Sequence, residues 1–248
     1  MKTVNKFFES EFSKQLMIES IRIVNKWSSI HDDNMENDNE YIQKNLTFES
    51  VGTIDEQNYY QKTEKFLAIQ STLDDINKVF IFLEIERDKV LEIHPKINSQ
   101  ESYFKYHIEN YIIRIYTIID LVGKLGNLLY ETNIPNDDCN CYKFKEKIKK
   151  ENAEIGEILE DILKYVEEIK KRRHRKIHTG EVEIEELIGI SFWEDFSDFL
   201  PKGFDFNNPI LKSINEGSFN NMINGLHSFL DLLIVKINNF LDKSINRL

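Results

Sequence analysis

Arg173, His174 and His178 place one guanidinium and two imidazoles within six residues of chain. An imidazole titrates near neutrality and can take or give a proton. A guanidinium grips a phosphate through two parallel hydrogen bonds. Side chains of these two types suit proton transfer beside a phosphoryl group whose charge is changing. Their setting is basic: Lys170, Lys171, Arg172, Arg173, Arg175 and Lys176 put six positive charges into seven residues. The whole chain carries −11, so the rest of it carries about −17. Such an acidic protein does not coat nucleic acid with its entire surface, yet it can hold a polyanion at one local basic segment.

The helical phase of that segment sharpens the reading. At about 100° per residue, Ile155, Leu159, Ile162, Val166 and Ile169 form one apolar stripe. Arg173 returns to the centre of the stripe, with Ile177 about 40°, His174 about 100° and His178 about 140° away. An arginine there is costly unless it is paired or faces a polar cavity or an interface. The plainer alternative is a stripe that runs out at a helix end, where Lys, Arg and His suit the negative end of the macrodipole. Periodicity leaves both open.

The elements that position these residues read as helices. The 248 residues include only 9 Gly and 4 Pro, too few turn residues for a sandwich or barrel of many short strands. Hydrophobic residues at 41% supply a core. Phe8, Phe12, Leu16, Ile23 and Trp27 predict a helix over Phe7 to Trp27, followed by a polar, acidic loop or linker from His31 to Glu40. Leu46, Phe48 and Val51 allow a short strand or small hairpin. A long helix is expected from Tyr59 to about Ile93, stopped by Pro95, and a second from Ser102 to Tyr130. The second carries the stripe Phe104, Ile108, Tyr111, Ile115, Ile118, Val122, Leu125 and Leu129. A loop from Thr132 to Cys141 leads into a third helix, Phe144 to His178, with a break near Asn152 and a terminator at Gly180. Glu181 to Ile184 fits a short strand or a short helix, and Phe192 to Leu200 a short aromatic helix before Pro201. Phe204 to Glu216 reads mostly as loop, and a last helix covers Ser218 to Leu241. The expected fold is all-α: an antiparallel bundle of four to five long helices with short accessory helices. Residues 1–58 form an N-terminal helix and polar linker, and residues 59–248 the bundle.

Arg173-His174-Arg175-Lys176-Ile177-His178 is an R-x4-H pattern with a polar residue directly after the arginine, late in a long helix of a helical chain. It resembles the signature of the HEPN superfamily, the nucleotide-binding domains of higher eukaryotes and prokaryotes. Arg172 offers an R-x5-H register, but Arg173 puts His174 in the polar position. The resemblance covers about Tyr59 to Leu241. It implies a metal-independent endoribonuclease of the toxin–antitoxin or phage-defence kind, a homodimer whose two motifs face one another, acting on RNA in the cytoplasm of a bacterium. In that reading Arg173, His174 and His178 are catalytic, and Lys170, Lys171, Arg172, Arg175 and Lys176 bind RNA. No cofactor and no metal are expected. An antitoxin, or a nucleotidyltransferase on a separate chain, is the implied protein partner. The alternative is a non-catalytic module of the same superfamily that binds a nucleotide, RNA or a protein.

Other patterns argue for less. His174 and His178 have a metal-binding spacing but lack a third ligand and sit among cations. Cys139 and Cys141 have no second pair to complete a zinc site and build no disulfide framework. Asp32, Asp33, Glu36 and Asp38 lack the glycine and spacing of a calcium loop. No P-loop, dinucleotide glycine fingerprint or nucleophile elbow is present. His107 reads as a packed or surface residue, and Tyr103, Tyr106, Tyr111 and Tyr116 mainly as core or interface. No apolar run has the length of a membrane span, and the first residues do not read as a signal region.

Overall fold

A computed structural model describes residues 7, 9–36, 52–85, 89, 99–167, 169 and 209–248. Among them the fold is all-α: α1 (Glu11–Glu36), α2 (Ile54–Leu83), α3 (Ser99–Leu129), α4 (Cys141–Ile148), α5 (Ala153–Tyr165) and α6 (Pro209–Lys243), with a closing 3-10 turn at Ile245–Arg247. Leu46, Phe48, Val51, Ile93, Pro95 and the segments read at Glu181 to Ile184 and Phe192 to Leu200 lie outside the described residues.

Local side chains set the helix starts. Ser10 Oγ accepts from Ser13 N at 3.2 Å and opens α1 at Glu11 rather than at Phe7. Thr53 and Glu56 form a reciprocal cap, Glu56 N donating to Thr53 Oγ1 and Thr53 N to Glu56 Oε2. That box starts α2 at Ile54, ahead of the expected Tyr59. Asn140 caps α4 by accepting from Lys143 N at 3.0 Å. The expected break near Asn152 is present: Asn152 N donates to Ile148 O, and Asn152 Oδ1 accepts from Ile155 N to open α5.

Larger differences from the sequence expectation lie at the end of α1, the end of α2 and the start of α6. α1 continues through His31 to Glu36, read above as loop. That stretch has no apolar period but no Gly or Pro either, and a helix already formed propagates until something breaks it. α2 ends at Leu83, because the apolar period lapses through Glu84, Glu86, Arg87 and Asp88. α6 begins at Pro209, inside the expected loop from Phe204 to Glu216. Proline is preorganised for the first helical position, where its missing N–H leaves no intrahelical bond unmade.

The chain divides into two compact units. The first comprises Met1–Ser71, Ile118–Lys164 and Ile234–Leu248. There α1 runs antiparallel to α2, through the stacked rings of Phe7 and Phe66, the Ser20–Thr63 hydroxyl pair and the Lys26–Glu56 ion pair. α4 crosses α3 at Gly123 and Gly126, with Phe144 edge-on to Phe240. Glu154 pairs with Lys243 and Asp161 with Lys236, so α5 and α6 run antiparallel. Asn127 pins the loop after α3: its Oδ1 accepts from Thr132 Oγ1 and Ile134 N, and its Nδ2 donates to Ile134 O. Asn127→Ala removes three partly buried hydrogen bonds and leaves their partners unmet. A loss of about 2 kcal/mol is expected, read as a lower urea midpoint with unchanged helical circular dichroism.

The second unit comprises Thr72–Thr117 and Tyr165–Leu233. α2 and α3 run antiparallel in it, Phe80 lying edge-on to Tyr111 and Phe82 over His107. α3 and α6 run in the same direction, with Phe104 against Phe219 and Tyr111 Oη donating to Leu226 O at 2.9 Å. The full α3 stripe expected from the sequence, Phe104 through Leu129, is buried.

Candidate functional site

Lys170, Lys171, Arg172, Arg173, His174, Arg175, Lys176 and His178 lie outside the described residues. The chain leading to them is described. All five residues of the expected stripe are buried: Ile155, Leu159 and Ile162 within α5, which ends at Tyr165, and Val166 at 0% and Ile169 at 9% exposure beyond that end, Ile169 four residues before Arg173. Tyr165 fixes this end of α5 in the second unit: its ring stacks on Phe229 and its hydroxyl donates to Phe229 O. The stripe therefore does not run out before Ile169.

Two histidines of the second unit sit in built settings. His227, with no recognisable sequence pattern, stacks on Phe80 at 3.6 Å between ring centres, and its Nε2 lies 3.2 Å from Glu84 Oε1. A carboxylate on one imidazole nitrogen fixes the ring's orientation. Nothing in the sequence signals this trio, since 143 residues separate Glu84 from His227.

His107 is buried, stacked on Phe82 and edge-on to Tyr103 and Tyr106. Burial first, and the Arg114 charge second, hold its imidazole below the ordinary value of 6.5. The unfolded chain then binds this proton more readily than the folded one. The stability contributed by neutral His107 is complete above pH 6.5 and is lost as pH falls below it. His107→Phe keeps a stacked ring without the proton site. Its stability relative to wild type is expected to rise between about pH 7.5 and about pH 5 in urea unfolding. An unchanged difference would show that His107 does not carry the acid sensitivity.

The remaining candidates have structural partners. Arg114 bonds Asn110 Oδ1 at 2.9 Å and lies 3.7 Å from Asp75, a longer charge contact. Tyr111 is fully buried and Tyr103 donates to Phe82 O. Tyr106 is exposed. Cys139 and Cys141 are free and buried, and burial pushes both thiols up, away from the reactive thiolate. Among the described residues no group of three or more His, Cys, Asp and Glu is placed to hold a metal ion, and no helix is long and apolar enough to cross a membrane.

Compared with known proteins, residues 69–245 match the model of one family, described as Cthe2314-like HEPN. The match spans α3, α4, α5 and the R-x4-H segment. No curated protein and no solved structure matches the chain.

Proposed function

The chain belongs to the Cthe2314-like HEPN family, and from that premise we propose that it binds RNA and cuts it as a metal-independent endoribonuclease. The observation that carries the reading is the coincidence of the family match with the R-x4-H segment Arg173 to His178. The buried stripe that reaches Ile169 supports it.

In this mechanism one imidazole removes the proton of a 2′-hydroxyl, whose oxygen attacks the adjacent phosphorus. A second imidazole gives a proton to the departing 5′-oxygen. Arg173 holds the non-bridging oxygens and balances the charge that builds on them. His178 is the acid/base group, and His174 orients or assists it. Lys170, Lys171, Arg172, Arg175 and Lys176 hold the strand. One His178 does not serve both proton transfers at once, so two copies facing one another in a homodimer supply the pair. The products are a 2′,3′-cyclic phosphate and a 5′-hydroxyl, and DNA, which lacks the nucleophile, is spared. A cytoplasmic toxin or phage-defence enzyme, restrained by an antitoxin or a nucleotidyltransferase partner, is the setting this activity fits.

The test is incubation of a labelled RNA panel with wild-type protein in EDTA. Cutting with cyclic-phosphate ends is the expected result. RNA that stays intact while remaining bound would favour the second reading, a non-catalytic RNA-binding module. The net charge of −11 speaks for that alternative.

A further inference from the structure

A cleft of about 820 Å³ lies in the first unit, lined by α2, the end of α3 and the loop after α3. Its volume is in the range of small-molecule sites. Gln61, Lys62 and Lys65 share one face of α2 and form one wall. Lys124 of α3 forms part of another, and Asn133 and Asn136 line it from the loop that Asn127 pins.

The three lysines of this cleft are all half-buried. Lysine is ordinarily among the most exposed residues, and a withdrawn ammonium needs a partner. Elsewhere in the chain lysines have close carboxylates: Lys26 lies 2.6 Å from Glu56, Lys145 2.6 Å from Glu160 and Lys243 2.7 Å from Glu154. Among the described residues no Asp or Glu oxygen comes that close to the cleft lysines. Lys62 Nζ donates to the main-chain oxygen of Arg247 at 2.8 Å and reaches that of Leu248 at 3.5 Å. Desolvation holds its ammonium below the ordinary value of 10.5, and Glu131 opposes that shift only in part. Lys65 has its chain neighbour Glu64 at 3.7 Å, and Lys124 has no ion pair among the described residues. The chain has 43 acidic residues to 32 basic, so three cations gathered without a close acid run against its composition.

We infer that this cleft binds a small phosphate monoester with a hydroxylated body, a sugar phosphate in chemical class. Charge selects the phosphate. The lysine ammonium suits it as a point charge, and a dianion relieves the mutual repulsion of the three cations. No arginine lines the cleft to grip a carboxylate in plane. The amides of Gln61, Asn133 and Asn136 select the body, because an amide side chain both donates and accepts, as a hydroxyl does. The two acids of the lining select a compact ligand. Glu64 and Glu131 are exposed, and a polyanionic strand extending past the lysines would meet their charge and that of a chain at −11. The inference does not depend on RNA cleavage, since none of these residues belongs to the segment Lys170 to His178.

The test is calorimetric titration of the full chain with ribose 5-phosphate, with ribose and inorganic phosphate as its two halves and 5′-AMP as a nucleotide. Saturable binding of ribose 5-phosphate is expected, at least about tenfold tighter than either half. Lys65→Gln and Lys124→Gln are each expected to weaken it about tenfold or more, the level of a hydrogen bond to a charged group, with the melting temperature of the unliganded chain unchanged. Gln61→Glu, at an exposed position, sets a carboxylate in the cleft and is expected to weaken binding as well. Lys147→Gln, at an exposed position of α4, is expected to keep the wild-type affinity. No binding of ribose 5-phosphate at millimolar concentration would overturn the inference. So would inorganic phosphate binding as tightly as the ester, or 5′-AMP binding where ribose 5-phosphate does not. A lower melting temperature with unchanged affinity in the lysine variants would make those lysines structural and overturn it too. Cleavage of RNA in EDTA, or its failure, leaves these titrations untouched.

Discussion

His178→Ala is expected to lower RNA cleavage by about 10²- to 10⁴-fold, the range that a positioned acid/base group contributes, while RNA affinity stays within a few-fold of wild type. The argument rests on what the substitution removes. Alanine takes away the titratable nitrogen and leaves Arg173 and the surrounding lysines and arginines in place to hold the strand. Arg173→Ala should behave differently. In the proposed mechanism it removes a phosphate contact made before the reaction and strengthened as charge develops, so both affinity and rate should fall. Measuring binding and single-turnover cleavage on the same labelled RNA separates the two cases. Equal losses of affinity and rate in both variants would point to a disturbed fold and sink the division of roles. Arg172→Ala settles the register: a loss as large as that of Arg173→Ala would move the motif by one residue.

Gly123→Ala is expected to destabilise the chain by about 3 kcal/mol or more, the level reached when a close-packed contact is forced apart. A Cβ at Gly123 would lie 2.5 Å from Cys141 Cα and 2.7 Å from Asn140 C. Those are backbone atoms at the start of α4, held by the Asn140 cap, and they have no rotamer into which to retreat. Gly126 is similar, since its Cβ would lie 2.6 Å from Cζ of the buried Phe144 ring. The two glycines are three apart on α3 and together make the surface on which α4 rests. Gly225 of α6 is the matched control, because no atom lies within 4 Å of a Cβ built there. Gly225→Ala should therefore stabilise by up to about 1 kcal/mol through helix propensity alone. Urea unfolding of the three variants reads the difference. A Gly123→Ala protein as stable as wild type would show that α4 does not pack as closely as described.

The described helices were largely legible in the sequence because their signal is local. A buried stripe repeats every three to four residues, so Phe104 through Leu129 and Ile155 through Ile169 could be assigned to one face before any neighbour was known. The break at Asn152 was legible for the same reason. Boundaries were less so. The Thr53–Glu56 capping box and the placement of Pro209 were present in the sequence as start signals, but apolar periodicity alone passed over them. The continuation of α1 through His31 to Glu36 has no periodic signature at all.

Residue chemistry and spacing also determined the R-x4-H segment, and with it the superfamily resemblance that the family match carries. Tertiary structure alone decided what depends on residues far apart in the chain. Glu84, Phe80 and His227 meet only because α2 and α6 pack together. Gly123 and Gly126 matter only because α4 returns across α3. Ile21 and Val24 read as ordinary positions of an amphipathic helix. The tertiary structure leaves them in water while Leu16 and Ile23 of the same helix are buried. A local period says that a face is apolar, but burial depends on which distant element comes to cover it.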